Sequence, residues 1–317
     1  MSTLGTRRGG RGSAGRGPGA GGGRPEAGTR LSNRTFAWLL LAPGLAMFAA
    51  IIVYPLVSAL ATGFFEQSLV RPGRRFVGLA NFTAVLSDEF VPILWRTLQF
   101  TIGATVLPFL LGLALALALN SGVRGSGVLR GLFLFPWVIP GVVVSFLWLW
   151  IFNANYGVLN GVLLKVGLID AGVSWLGQTT TAMIAVVITK TWASFPWMMV
   201  MLLAGLQTIP KELYEAASVD GAGAIRRFRA VTWPHLRGIA GIVFLLEFIW
   251  NFQHFDTIYV LTGGGPAGST KTFAVAVYET AFKGFDLGRA TALGALWMVL
   301  LLAVVAIYLR AERKGSE

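Results

Sequence analysis

The 317-residue chain is 55% hydrophobic and 13% charged, with a mean hydropathy of +0.68, whereas a soluble domain covers its surface with roughly 25% charged residues. That balance excludes a soluble globular protein and places the chain in a membrane. Zero cysteines exclude disulfides, thiolate metal sites and thiol catalysis, and His235 and His254 alone are too few for a multi-histidine metal centre. The formal charge of +12 is no sign of nucleic acid, because Arg7, Arg8, Arg11, Arg16, Arg24, Arg30 and Arg34 all precede the first apolar run.

Residues 1–34 are mostly Gly, Arg, Ser, Ala and Pro, too apolar-poor to offset the entropy of ordering, and are expected to be a disordered cytoplasmic tail. Gly10 to Gly15 fits GxGxxG, but no strand precedes it and no helix follows, so it reads as low complexity. A helix crossing roughly 30 Å of hydrocarbon needs about 20 apolar residues. Six such runs recur, at 35–65, 97–120, 131–152, 181–206, 238–259 and 290–309. The expected fold is an all-α integral membrane protein of six transmembrane helices. Its domain spans 35–310, with a short C-terminal tail at 311–317.

Orientation follows from Lys and Arg near the span ends. With the N-terminus inside, seventeen basic residues lie on the inner side and eight on the outer, so the positive-inside rule puts both termini in the cytoplasm. The long loop between spans four and five, 207–237, then faces the cytoplasm. It has a helix-turn-helix grammar: Pro210 suits a first helical position, Glu212 and Glu215 favour the positive end of a helix dipole, and Gly221 permits a close turn. A second helix from Ala222 to Val231 is expected to stop at Pro234. An amphipathic segment resting on the lipid surface, helped by Arg226, Arg227 and Arg229, is the other reading of the same composition.

Glu215-Ala216-Ala217, then Asp220-Gly221, Phe228 and Val231-Thr232-Trp233-Pro234, closely resemble the Glu-Ala-Ala loop of binding-protein-dependent ABC importer permeases. Val231 and Trp233 stand where that family usually has Ile and Leu. Phe76 to Phe82, Phe135-Pro136 with Pro140 and Trp148, Ala204 to Pro210, and Phe255 to Pro266 are similar to the carbohydrate-type branch, the maltose and glycerol-3-phosphate permeases. The resemblance runs from about Ala37 to Leu309. It implies half of a transport pathway in a bacterial-type cytoplasmic membrane, paired with a second, different permease. Two copies of a P-loop ATPase would bind beneath, and an extracytoplasmic binding protein would deliver the solute. It also implies that the loop docks on the ATPase through Glu215 and the Gly221 turn, with ATP and Mg held by that partner and no cofactor in this chain. Gly263 to Lys271 passes briefly for a P-loop, but no Lys follows Gly268. As an outer loop, it reads either as a binding-protein contact or as a connector.

Ionisable residues at membrane depth are costly and usually face a bundle interior or a water-filled path. Glu247 lies inside span five, and Trp250, Asn251 and His254 follow at i+3, i+4 and i+7 on its helix face. A carboxylate, an amide, an imidazole and an indole suit a sugar's hydroxyls and apolar ring face, so these four are candidate pathway residues. Contacts between helices are the plainer reading. Lys190 in span four is a possible partner for Glu247. Trp38, Trp95, Trp137 and Trp297 near span ends read as interfacial anchors. A self-contained carrier or channel would explain the spans and charges without explaining the docking loop. A membrane-embedded enzyme would need a nucleophile or acid-base cluster, and Glu247, His254 and Asp256 are the one close titratable group in a span.

Overall fold

The computed structural model describes residues 33–122 and 125–316. The expected tail falls, up to residue 32, outside the described residues, as does Arg124. In sequence the chain divides into two units, Met1–Pro55 and Leu56–Glu317.

In the first unit, α1 (Asn33–Phe48) passes through a π-helical turn (Ala49–Val53) into the beginning of α2 (Tyr54–Thr62). The turn has a local cause in Pro55, whose ring would clash with the carbonyl four residues back. Tyr54 N–H instead bonds the Ala49 carbonyl, five residues back, and the helix widens there. Arg34–Thr62 is long and apolar enough to cross a membrane.

The second unit begins with a departure from the all-α expectation. Strands β1 (Phe65–Gln67) and β2 (Arg74–Phe76) form an antiparallel hairpin with Glu66 opposite Arg75, and those two side chains form an exposed 2.6 Å ion pair across it. Asn81 Nδ2 donates to the Gly63 and Phe65 carbonyls, at 2.9 Å each, and fastens the hairpin to α3 (Ala80–Asp88). Then α4 (Phe90–Asn120) begins well before the expected Thr97, because a helix continues into the polar interface where an apolar window ends.

The third expected span, 131–152, is not one rod. It consists of α5 (Ser126–Val138) and α6 (Gly141–Ile151), bent by 93°. Ile139 is extended at ψ 133°, as the residue before a proline prefers, and Pro140 opens α6. After α7 (Val158–Lys165) comes α8 (Ala182–Gln207), close to the expected fourth span. The loop helices α9 (Lys211–Val219) and α10 (Ala224–Arg227) follow, and a π-helical turn (Phe228–Thr232) leads directly into α11 (Trp233–Phe252). The fifth span therefore occupies Ala224–Phe252 rather than 238–259. The remainder of the expected stretch is a separate helix, α12 (Asp256–Thr262). Next come α13 (Phe273–Tyr278), a third π-helical turn (Glu279–Lys283) and α14 (Leu287–Ser316), which runs on into the residues expected as a tail. Among the described residues five helices are long and apolar enough to span, or six with the bent pair counted as one.

The core is the α4–α8 pair, with α11 packed on both. Lipid tails offer little hydrophobic drive for such pairing, so small residues and close backbones carry it. At Gly112 of α4, a Cβ would sit 2.9 Å from Met198 Cβ and from the Met199 backbone nitrogen of α8. One buried cluster holds Ala116, Leu202, Leu206, Val231 and Leu236 near the 207–237 loop, and another holds Phe100, Ala104, Val186 and Ile258 near the opposite end. Trp38, Trp95 and Trp137 are exposed. Trp297 departs from the anchor expectation: its indole N–H donates to the Phe252 carbonyl at 3.2 Å and its ring stacks on Phe273.

Candidate functional site

The 207–237 loop is built on the buried platform of Leu206, Ile209, Val231 and Leu236, with Tyr214 and Ala217 resting on it. Pro210, at φ −58° and ψ 135°, is the cap of α9 rather than its first helical residue. At the other end of α9, Gly221 adopts φ +71°. Its N–H bonds the Ser218 carbonyl at 3.0 Å, and the Ala222 N–H reaches the Ala217 carbonyl at 2.9 Å. Those two bonds form a Schellman turn, which glycine adopts without a Cβ penalty. Space is not the issue, since a Cβ at Gly221 would meet nothing within 4 Å.

The turn folds α10 back toward α9, where Arg227 donates to Ser218 Oγ at 3.2 Å and the Tyr214 and Thr232 hydroxyls pair at 3.1 Å. Glu215, Ala216 and Asp220 remain exposed, Phe228 is half-buried against Trp233, and Val219 and Ile225 are 88% and 72% exposed. Pro234 does not end the second helix, contrary to expectation. The π-helical turn before it moves the clashing carbonyl aside: Trp233 N–H bonds Phe228 O, and the helix proceeds through Pro234 into α11. The loop is thus continuous with a span.

Farther along α11 the expected stripe separates. Glu247 and Asn251 are 2% and 1% exposed, wedged between α11, α4 and α8. Lys190 Nζ of α8 stands 3.6 Å from Glu247 Oε1. Asn251 Nδ2 has three acceptors, the Ala104 carbonyl at 2.8 Å, Thr105 Oγ1 at 3.1 Å and Glu247 Oε1 at 3.2 Å. They fix the amide with its nitrogen toward α4, and Asn251 Oδ1 is left buried without a partner among the described residues. Trp250 lies off this face, 46% exposed and 5.0 Å from the Trp197 ring. His254, beyond the end of α11, stacks on Phe100 and bonds Thr257 Oγ1 at 2.9 Å. Thr105 and the Ala104 carbonyl were not among the sequence candidates, although Thr97, Thr101 and Thr105 recur at helical spacing on span two.

At the far end, Gly263 to Lys271 closes on itself. Gly263, Gly264 and Gly268 take φ of 58°, 86° and 71°, and the Thr262 and Thr270 hydroxyls meet at 2.7 Å. Glu279 holds both Lys271, at 3.1 Å, and Lys283, at 3.2 Å. The hydrogen bond from Lys283 to that carboxylate raises the lysine above its ordinary range.

A bent, multi-helix apolar core continuous with an internally hydrogen-bonded loop defines a polytopic membrane protein. A model of the family described as "Binding-protein-dependent transport system inner membrane component" matches residues 109–314, and the chain belongs to that family. It is 38% identical over 288 residues to the sulfoquinovosyl glycerol transport system permease protein SmoG of Agrobacterium fabrum, covering 89% of this chain and 92% of that one. It is 36% identical over 277 residues to the trehalose/maltose transport system permease protein MalF of Thermococcus litoralis, covering 87% and 93%. In fold it is similar to a chain of a bacterial ABC transporter involved in the import of the acidic polysaccharide alginate, with TM-score 0.75, 20% identity and 89% and 96% coverage. The protein is a multi-pass permease subunit of a binding-protein-dependent ABC importer of the inner membrane, a transport component rather than an enzyme.

Proposed function

We propose that this permease forms half of an ATP-driven pathway for a sugar or a related polyhydroxylated solute. Relatives named for sulfoquinovosyl glycerol, trehalose/maltose and sn-glycerol-3-phosphate support the solute class. A solute-binding protein delivers the solute, a second permease completes the path, and two ATPase copies supply ATP and Mg chemistry from below. The chain spans the membrane six times, with the α5–α6 pair as a broken third span and both termini in the cytoplasm. Residues 1–34 and 311–317 are tails to the 35–310 permease domain, and the docking loop is 207–237.

The observation that carries this reading is the continuity of the loop with α11. Glu215, Ala216, Asp220 and Gly221 present an exposed, internally fastened knob seated through half-buried Ala217, and Phe228 to Pro234 join it to a span without a break. Closure of the ATPase pair around that knob then tilts α11 as a lever. At its far end, Trp250 faces the pathway, with Glu247, Asn251 and Lys190 holding the wall behind it and His254 closing the row. The reading is tested by affinity purification from native membranes in mild detergent with mass-spectrometric identification of what accompanies the chain. A P-loop ATPase and a second permease are expected, with the ATPase lost from Glu215→Lys. A chain that purifies alone contradicts it.

A further inference from the structure

We propose that the hollow between the β1–β2 hairpin and the turn Gly284 to Asp286 binds the headgroup of an anionic phospholipid. It has a volume of about 840 Å³. Two segments distant in sequence close it: Leu69 N–H donates to the Phe285 carbonyl at 3.0 Å, and Ser68 bridges Asp286. The charges lining it are not equally spent. Arg75 is neutralised by Glu66 at 2.6 Å, and Asp286 Oδ1 accepts the Arg289 backbone N–H at 2.9 Å. Arg71 and Arg74 are exposed and have no carboxylate partner among the described residues. Arg74 Cζ lies 3.6 Å over the Phe65 ring, a contact with a ring face that provides no carboxylate for the guanidinium. Guanidinium edges match phosphate oxygens in pairs, and two of them suit a phosphodiester.

Position favours a lipid over a soluble anion. The hairpin starts just after α2 ends at Thr62, and Asp286 immediately precedes the apolar α14, so the hollow lies at the level where spans end. Exposed apolar side chains stand among its polar lining and next to it: Val70 and Phe285 line the hollow, and Leu69 and Phe76 are exposed chain neighbours of lining residues. Arginines interleaved with exposed apolar side chains fit the boundary between headgroups and acyl chains. α14, which packs on β1, has just 11% of its most apolar window buried, leaving the surface beside the hollow open to acyl chains. None of this depends on which side of the membrane the hairpin occupies.

The test uses the full chain with the subunits that accompany it, exposed to dioleoyl phosphatidylglycerol, dioleoyl phosphatidylcholine or inorganic phosphate, with bound species counted by native mass spectrometry. Phosphatidylglycerol is expected to be retained over phosphatidylcholine. In Arg71→Gln/Arg74→Gln its retention should fall about tenfold or more, the scale of two basic residues near an anionic surface. Glu66→Gln, which frees Arg75, should raise retention, so the proposal has a gain-of-binding arm that no folding defect mimics. Equal retention of the two lipids, or unchanged phosphatidylglycerol retention in the double variant, overturns it. Inorganic phosphate displacing the lipid at comparable concentration assigns the hollow to a soluble anion and overturns the lipid identity.

Discussion

Lys190 and Glu247 stand 3.6 Å apart with side chains 15% and 2% exposed, in a setting where an unpaired charge costs far more than a paired one. Removing one partner therefore damages the helix interface more than removing both. Glu247→Leu should destabilise the purified complex by about 3 kcal/mol, whereas Lys190→Met/Glu247→Leu should lie closer to the wild type. Thermal unfolding of the three proteins in one detergent checks this, and a double variant worse than either single one would show that the pair is not the stabilising contact. Asn251 poses a different question. Its three acceptors anchor the amide nitrogen to α4 and to Glu247, and Oδ1 is buried without a partner among the described residues, so the amide ties α11 to α4 instead of meeting a solute directly. Asn251→Leu leaves the Ala104 carbonyl and Thr105 hydroxyl without this donor and should destabilise the purified complex by about 1–3 kcal/mol, the cost of buried polar groups left unpaired, with uptake lowered through the displaced wall. Thermal stability and uptake kinetics both equal to the wild type would show that Asn251 does not brace the pathway wall.

At the scale of elements, the α9–α10 turn and the π-helical turn before Pro234 make the loop and α11 one mechanical piece. Gly221→Ala should cost about 1 kcal/mol through its left-handed backbone, and Gly221→Asn less, since asparagine tolerates that region. The readout is the fraction of chain that retains the ATPase during purification, and equal retention by both variants would show that the turn's shape is not what docks. Much of this was legible beforehand. The positions of Glu212, Glu215 and Gly221 announce a helix, its dipole and its turn, and the i, i+4 spacing places Glu247 and Asn251 on one face. What was not legible has physical causes. Hydropathy windows see the apolar run at 131–152 but not that Ile139 must extend ahead of Pro140. Strands of three residues give no period to read, so the hairpin was missed. Proline reads as a helix stop unless a widened turn precedes it, as happens at both Pro55 and Pro234. Trp250, three residues from Glu247, rotates off the buried face, and Thr105 hides in a span because its hydroxyl bonds across 146 residues of sequence.

At the scale of the molecule, the absence of cysteine makes topology directly measurable. Val219→Cys and Val70→Cys place single thiols at positions 88% and 64% exposed, on the loop and the hairpin. A membrane-impermeant maleimide should label Val70→Cys in intact cells or spheroplasts and Val219→Cys in inside-out vesicles alone. The reverse pattern would invert the orientation and detach the loop from any cytoplasmic motor. The central claim is that this chain moves solute when a separate ATPase acts on the 207–237 loop. The most direct test is transport in proteoliposomes holding the complete co-purified assembly, its binding protein and a labelled solute chosen from maltose, trehalose and sn-glycerol 3-phosphate, with ATP inside or withheld. Uptake that requires ATP and the binding protein, ignores imposed ion gradients and disappears with Glu215→Lys is the predicted result. Uptake by this chain alone, driven by a gradient and indifferent to ATP, would contradict the account.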